Sequence, residues 1–119
     1  MKHIMKLWNS PFKLIKKETK TIELRLNDEK RSLINVGDLI EFTNVETKEV
    51  ITCKVLNLYK YPDFTTLYKY HNKTKMGYEE NEIANPADME QYYQKEDIKK
   101  YGVLAIEIEL IKEKEAALN

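Results

Sequence analysis

Glycine is scarce in this sequence, and its scarcity excludes several kinds of nucleotide site. The three glycines, Gly37, Gly77 and Gly102, are isolated from one another. The chain therefore has neither a P-loop nor the glycine-rich fingerprint of dinucleotide-binding domains. We accordingly predict that the protein uses no cofactor.

Cysteine and histidine, which are common zinc ligands, are scarce as well. Cys53 is the single cysteine, and the two histidines, His3 and His71, lie far apart. No zinc-ligand spacing is present and no internal disulfide can form, so we predict no metal site. Cys53 lies in a strand-like run and is interpreted as a small core residue, with a catalytic thiol as the alternative.

The sequence also lacks long apolar runs and an excess of charge of one sign. No run approaches the roughly 18 apolar residues of a transmembrane helix, and the first ten residues are too short and too charged for a signal peptide. We therefore expect a cytoplasmic protein that does not contact a membrane. Twenty Lys and Arg balance twenty Asp and Glu over 119 residues, which argues against indiscriminate binding to nucleic acid.

A local basic cluster nevertheless lies in the first third of the chain. Its members are Lys13, Lys16, Lys17, Lys20 and Arg25. Such a cluster can line a basic cleft or can form the solvated face of a helix. The sequence leaves both readings open.

Hydrophobic periodicity predicts five strands with helices inserted between them. The strands are expected over residues 3–9, 20–26, 38–45, 49–61 and 103–111, and the helices near residues 11–17, 63–70 and 86–95. Ser10, Asp63 and Asn85 are the predicted N-caps. The long fourth strand should contain a bulge. Residues 72–83 should form a mobile loop that serves as a lid or rim.

The order of these elements predicts the fold class. Because no regular βαβ rhythm is present, we expect an α+β protein with a mixed, mostly antiparallel sheet. Such a sheet can close as a small β-barrel, which removes exposed edges. The length favours one domain over residues 1–119 with a frayed tail at about 113–119, and a monomer is the default expectation.

The stretch "ETKTIELR" carries three charges inside an apolar strand. Glu23 and Arg25 are two residues apart and share one face of the strand. Lys20 has the opposite parity, so it can join them only from a turn that precedes the strand. A residue at such a turn should bury little, so we expect Lys20→Ala to weaken ligand binding while hardly changing stability. The alternative is a plain ion pair between Glu23 and Arg25 that satisfies the sheet face.

This stretch resembles the hallmark of the ASCH domain, the activating-signal-cointegrator homology family of the PUA-like superfamily. The hallmark is G-x-K-x-x-E-x-R followed by a Gly-Asp pair. Lys20, Glu23 and Arg25 match the first part, and Gly37 with Asp38 match the pair. Glu18 stands where the motif has glycine, so we expect the turn to be built differently. The resemblance continues through "YKYPDFTTLY", "MEQYY" and "YGVLAIEIEL".

The resemblance implies a PUA-like barrel with short helices around a cleft that holds the motif residues. Ile22 and Leu24 would then fill the barrel. It also implies binding of RNA or a modified nucleoside. The ligand would contact Lys20, Glu23 and Arg25, with Tyr92 and Tyr93 as aromatic walls; Tyr59, Tyr61 and Tyr68 are further aromatic candidates.

An enzyme is the alternative. Some small ASCH proteins look like amidohydrolases that remove the acetyl group of N4-acetylcytidine with a lysine, a threonine and a glutamate. Lys20 matches the lysine, and Glu23 stands where that branch has threonine, so these two residues are the catalytic candidates. Glu79, Glu80 and Glu82 are open choices for the glutamate. Catalysis stays open, and a protein-binding adaptor is a third reading.

Overall fold

The computed structural model describes residues 1–112, and the predicted frayed tail lies outside them. Its elements are β1 (Lys2–Leu7), α1 (Asn9–Lys16), β2 (Ile22–Leu26), a 3₁₀ turn (Arg31–Leu33), β3 (Leu39–Asn44), β4 (Val50–Tyr61), α2 (Phe64–Tyr70), α3 (Lys73–Met76), α4 (Ala87–Glu90), α5 (Lys95–Tyr101) and β5 (Val103–Leu110). The predicted α+β class is confirmed.

The five strands form one sheet with the order β1-β3-β4-β5-β2. β1 and β3 are parallel, and the other three pairs are antiparallel. The mixed, mostly antiparallel sheet curls into a half-barrel. β1 and β2 are its two edges, so the barrel has an opening between them. The side chain of Arg25 crosses this opening and donates a hydrogen bond from Nη2 to the carbonyl oxygen of Lys6 at 2.9 Å.

Two apolar clusters pack on opposite faces of the sheet. The first contains Phe42 and Val55 together with Phe12 of α1. The second contains Ile22 and Leu24, which pack with side chains of α2, α3 and α5. The expectation that Ile22 and Leu24 fill the barrel is therefore wrong. β2 pairs with β5 in a register that turns its aliphatic side towards the covering helices, because those helices supply the apolar partners there.

Local sequence signals predicted the cap of α2 and the bulge in β4 correctly, but not the cap of α1. Asp63 caps α2, since its Oδ1 accepts a hydrogen bond from the backbone N–H of Thr66 at 2.7 Å. The predicted bulge in β4 lies between Val55 and Asn57. Ser10 is not an N-cap, because α1 already begins at Asn9. The Asn9 side chain instead accepts a hydrogen bond from Asn44 Nδ2 at 2.9 Å, which ties the start of the helix to β3.

The predicted helix over 86–95 is wrong, because two short helices stand in its place. The extended backbone of Gln94, with ψ 142°, separates α4 from α5. This break lets Tyr93 stack on Phe64 with the ring centroids 5.8 Å apart. The predicted loop over 72–83 contains α3, which buries Met76 and ends at Gly77 in a left-handed conformation with φ 112°.

Candidate functional site

A cavity of about 660 Å³ lies at the opening between the edge strands β1 and β2. Lys6 and Leu7 line it from β1, and Glu23 and Arg25 line it from β2. The turn before β2 contributes Lys20, and the segments around α3 and α4 supply the opposite wall. Among the strands of residues 1–112, the two edges have no backbone pairing with each other, and the cavity lies at this gap. We call it the edge cleft.

Lys20 is held at the base of the edge cleft by three acceptors. Its Nζ donates to the carbonyl oxygens of Ile22 at 2.7 Å and Met76 at 2.8 Å, and it lies 3.5 Å from Glu23 Oε1. Two of the three ammonium hydrogens donate to these carbonyl oxygens, and the contact with Glu23 is an ion pair. The side chain is only 6% exposed. The expectation that Lys20 buries little is therefore wrong, because this residue joins the turn, β2 and α3.

Glycine at position 77 allows this close packing. A Cβ built on Gly77 would lie 3.3 Å from Lys20 Cδ, and the backbone φ of 112° is one that side chains rarely adopt. The backbone N–H of Thr21 also donates to the carbonyl of Lys75 at 2.9 Å, so α3 is attached to the turn beside Lys20. The segment predicted as a rim therefore forms part of the cleft wall.

Glu23 and Arg25 form a short ion pair on the same face of β2. Glu23 Oε2 accepts a hydrogen bond from Arg25 Nε at 2.7 Å. Burial alone would raise the pKa of Glu23, but the charges of Arg25 and Lys20 outweigh this effect and hold its pKa below the usual value. Burial lowers the pKa of Lys20, and the carboxylate of Glu23 opposes that shift. The pKa of Arg25 is raised because the attraction of Glu23 exceeds the effect of burial. Glu23 is thus an ionised carboxylate between two cations.

The structure brings all five predicted ligand-binding side chains to the same cavity. Lys20 reaches Glu23 from a turn before the strand, as expected for a residue at an odd spacing from Glu23. Tyr92 is 58% exposed at the cavity, whereas Tyr93 is half-buried. The three other glutamates considered for catalysis, Glu79, Glu80 and Glu82, are exposed and do not line the cavity. Tyr59, Tyr61 and Tyr68 do not line it either.

The sequence alone did not identify several side chains that line the edge cleft. Trp8, which is 62% exposed, and Lys6 line it from β1 and the start of α1. Both residues alternate in sequence with the buried Met5 and Leu7. The two-residue period of a strand was therefore a signal that Lys6 and Trp8 share one face. Arg31 lines the cavity from the 3₁₀ turn and is paired with a carboxylate outside it, Asp28, at 2.9 Å.

A hydroxyl network fixes the wall opposite β2. Tyr78 donates a hydrogen bond to Asp88 Oδ2 at 2.7 Å, and its hydroxyl lies 2.9 Å from that of Tyr68. Burial, together with these two hydrogen bonds, raises the pKa of Tyr78 well above its usual value. The neutral hydroxyl therefore joins the segment after α3 to α4. Within residues 1–112, Glu23 and Asp88 are the two carboxylates that line the cleft.

Cations outnumber carboxylates in the lining of the edge cleft. Among residues 1–112, the cations of the lining are Lys6, Lys20, Arg25 and Arg31, against Glu23 and Asp88. Such an excess favours an anionic ligand. Within residues 1–112, no group of three His, Cys, Asp or Glu side chains could hold a metal ion. Burial raises the pKa of the Cys53 thiol to about 12, which agrees with the interpretation as a core residue and not with a catalytic thiol.

Glu18 occupies the place of the motif glycine, in the turn that leads to Lys20. Its backbone φ is 66°, in the left-handed region that favours glycine. The side chain of Glu18 lies on the surface and pairs with Lys112 at 3.2 Å. The turn therefore has the kind of conformation that a glycine would supply, although a glutamate occupies it.

The curled sheet with a polar cleft at its open edge defines a small α+β protein of the PUA-like type. The model of the ASCH domain family matches residues 5–112. The chain therefore belongs to the ASCH domain family. In the part of the chain that the structure describes, no helix is long and apolar enough to cross a membrane.

Solved structures with similar folds cover nearly the whole chain. The hypothetical protein PH0355 shares 35% identity, with a TM-score of 0.79 over 93% of this chain and 100% of that chain. Protein PF0455 from Pyrococcus furiosus shares 31% identity, with a TM-score of 0.68 over 94% and 99%. ASCH from Zymomonas mobilis shares the fold at 16% identity, with a TM-score of 0.62 over 93% and 67%. No curated protein matches the chain significantly.

Proposed function

We propose that the edge cleft binds single-stranded RNA or a modified nucleoside. The observation that supports this proposal most strongly is the meeting of exposed aromatic rings and an excess of cations in one cavity. Membership of the ASCH domain family supports the same class of ligand. A base would stack on Trp8 or Tyr92, and a phosphate would approach Lys6 and Arg31.

The aromatic rings provide the surface for stacking. Trp8 and Tyr92 are each more than half exposed although they line a concave site. Rings left open in a cleft are typical of nucleic-acid-binding proteins, where stacking contributes about 1–3 kcal/mol per base. Tyr93 stacks on Phe64 inside the second cluster, so its ring supports the wall of the cleft and gives it rigidity.

Lys6 is the most available cation for a phosphate. It is exposed, and within residues 1–112 its ammonium forms no ion pair, whereas Arg25 and Arg31 each have a carboxylate partner. Lys20 is buried, donates to two carbonyl oxygens and is paired with Glu23. We therefore assign the electrostatic contact with the phosphate backbone to Lys6, and a role in shaping the base of the cleft to Lys20.

The fluorescence of Trp8 provides a direct test, because it is the single tryptophan of the chain. The protein is titrated with short single-stranded RNA at low and at physiological salt, and we expect quenching that weakens as salt rises. Lys6→Ala should reduce the slope of log affinity against log salt by about 0.7, the value for one phosphate contact with a single strand. Lys60→Ala, which removes an exposed lysine of β4 outside the cavity, serves as the matched control.

An aromatic pair tests the stacking surface. Tyr92→Ala should weaken RNA binding, whereas Tyr70→Ala, at a 69% exposed tyrosine outside the cavity, should not. Absence of quenching by RNA, or equal effects of each variant and its control, would refute the proposal.

Hydrolysis of an acylated nucleoside is the second candidate, and one observation favours it. Burial lowers the pKa of Lys20, which makes the neutral amine more accessible. The three acceptors around Nζ oppose this reading, because they stabilise the ammonium. Incubation with N4-acetylcytidine separates the two functions. Acetate release that is lost in Lys20→Met but kept in Lys6→Ala would support the enzyme.

A further inference from the structure

Glu23 has acceptor capacity that the protein itself does not use. A carboxylate offers about four lone-pair sites. Within residues 1–112, Glu23 Oε1 faces Lys20 and Glu23 Oε2 accepts from Arg25 Nε. One acceptor site therefore remains on each oxygen. Lys20 is only 6% exposed, two of its hydrogens donate to carbonyl groups and its charge is paired with Glu23, so this wall of the cleft presents acceptors more than donors.

The plane of the Glu23 carboxylate is fixed before any ligand enters. Each oxygen is held by a different cation, and the side chain is only 6% exposed. Arg25 is in turn held by its second contact, with the carbonyl of Lys6 across the opening. A group held in this way loses little conformational entropy on binding, so it can contribute to specificity.

The acceptor pattern can be compared with the edges of the four bases. Guanine carries two adjacent donors, N1–H and the N2 amino group, with the O6 acceptor beside them. Adenine and cytosine place an unprotonated ring nitrogen next to their amino group, and uracil places its N–H between two carbonyl oxygens. A ring nitrogen or carbonyl oxygen facing a carboxylate is repelled. Only guanine therefore offers both carboxylate oxygens a donor, while its O6 fits the Arg25 guanidinium.

We propose that Glu23 is a specificity-determining residue that makes the edge cleft select guanine through its N1–H and N2 amino groups. This inference rests on the proposed function, because it assumes that a base occupies the cleft. The inference adds which base is bound and which residue recognises that base. Arg25 positions the carboxylate and contributes a donor to the carbonyl side of the base.

Four nucleoside monophosphates test the selection with the unaltered protein. Trp8 fluorescence is titrated with GMP, AMP, CMP and UMP under identical salt. GMP should bind about 10-fold more tightly than UMP, since a bidentate contact discriminates by roughly 5- to 160-fold. Inosine monophosphate lacks only the N2 amino group, and it should bind several-fold more weakly than GMP. In 1-methylguanosine monophosphate a methyl group replaces the N1 hydrogen, and this nucleotide should lose the preference that GMP shows.

A variant pair assigns the selection to Glu23. Glu23→Gln replaces one acceptor by a donor, which fits the amino and ring-nitrogen edge of adenine or cytosine. The preference for GMP over AMP should fall to about 1 or reverse. Glu107→Gln is the matched control, because Glu107 also lies in the sheet but contacts Asn57 and Tyr59 and does not line the edge cleft. It should keep the preference of the wild type.

The outcomes separate the inference from the proposed function. Equal quenching by all four nucleotides would overturn the role of Glu23 while leaving a base-binding cleft. Absence of quenching by any nucleotide or RNA would overturn both. If Glu23→Gln does not fold, as judged by thermal unfolding, the panel with inosine and 1-methylguanosine nucleotides still decides the inference in the wild type.

Discussion

Glycine at position 18 should be tolerated without loss of stability. Glu18 has φ 66°, which costs a residue with a side chain about 1–2 kcal/mol relative to the right-handed region. Two effects oppose the gain. Glycine adds freedom to the unfolded chain, which costs about 0.4–1 kcal/mol. The variant also loses the ion pair with Lys112, whose side chains are 50% and 45% exposed, and such a pair contributes about 0.2–1 kcal/mol.

The middles of these ranges are about 1.5, 0.7 and 0.6 kcal/mol, so the balance predicts that Glu18→Gly raises the free energy of unfolding by only about 0.2 kcal/mol. Unfolding entropy of about 2.1 cal/mol/K per residue converts this gain to a rise in Tm of only about 1 °C for a chain of this size. Urea denaturation measures the free energy, and thermal unfolding followed by circular dichroism measures Tm.

The neighbouring position offers a matched control. Lys17 has φ −79° and ψ −7° in the right-handed region, so Lys17→Gly adds the same freedom to the unfolded chain without relieving strain. It should lower stability by about 0.5–1 kcal/mol. The two variants should therefore differ by about 1 kcal/mol. Equal destabilisation by both substitutions would refute the strain argument.

Four further predictions follow from the site and its supports. Lys20→Met should lower the free energy of unfolding by about 2–4 kcal/mol in urea denaturation, because two carbonyl groups lose their donor; an effect as small as that of Lys17→Met would contradict this. Gly77→Ala should destabilise by about 1–2 kcal/mol through its φ of 112° and its contact with Lys20, and normal stability would be the contrary result. Hydrogen bonds from His3 and Asn35 lower the pKa of Asp38 to about 2, so its stabilising contribution is present above the unfolded pKa of about 3.9 and is lost as pH falls towards 2. Asp38→Asn should flatten this part of the curve of stability against pH, and an unchanged curve would count against it. Amides of residues 72–83 should exchange faster with solvent than those of β5, and equal protection would oppose the expected mobility.

Rules that act between close neighbours in the chain gave the reliable predictions. Alternation along β2 placed Glu23 and Arg25 on one face, and the capping preference of aspartate placed the start of α2 at Asp63. Both depend on residues within three positions of each other. The ASCH resemblance then indicated the fold, because its motif and its later segments follow the chain in the same order.

Contacts between distant segments explain what the sequence could not predict. Lys20 is buried because the carbonyl of Met76 accepts from it, and nothing near Lys20 in the sequence indicates that partner. Trp8 and Lys6 belong to the edge cleft because β1 occupies a sheet edge, parallel to β3. The helix break at Gln94 likewise depends on the packing of Tyr93 against Phe64.

The pairing of β2 also determines when the site can assemble during synthesis. In the part of the chain that the structure describes, the neighbour of β2 in the sheet is β5, and Leu24 lies opposite Ala105. A nascent chain that has emerged only as far as β4 can therefore build the β1-β3-β4 part of the sheet, but it has no strand on which to seat Glu23 and Arg25. Their charges stay hydrated until β5 has been synthesised, so the edge cleft cannot form before that strand has left the ribosome.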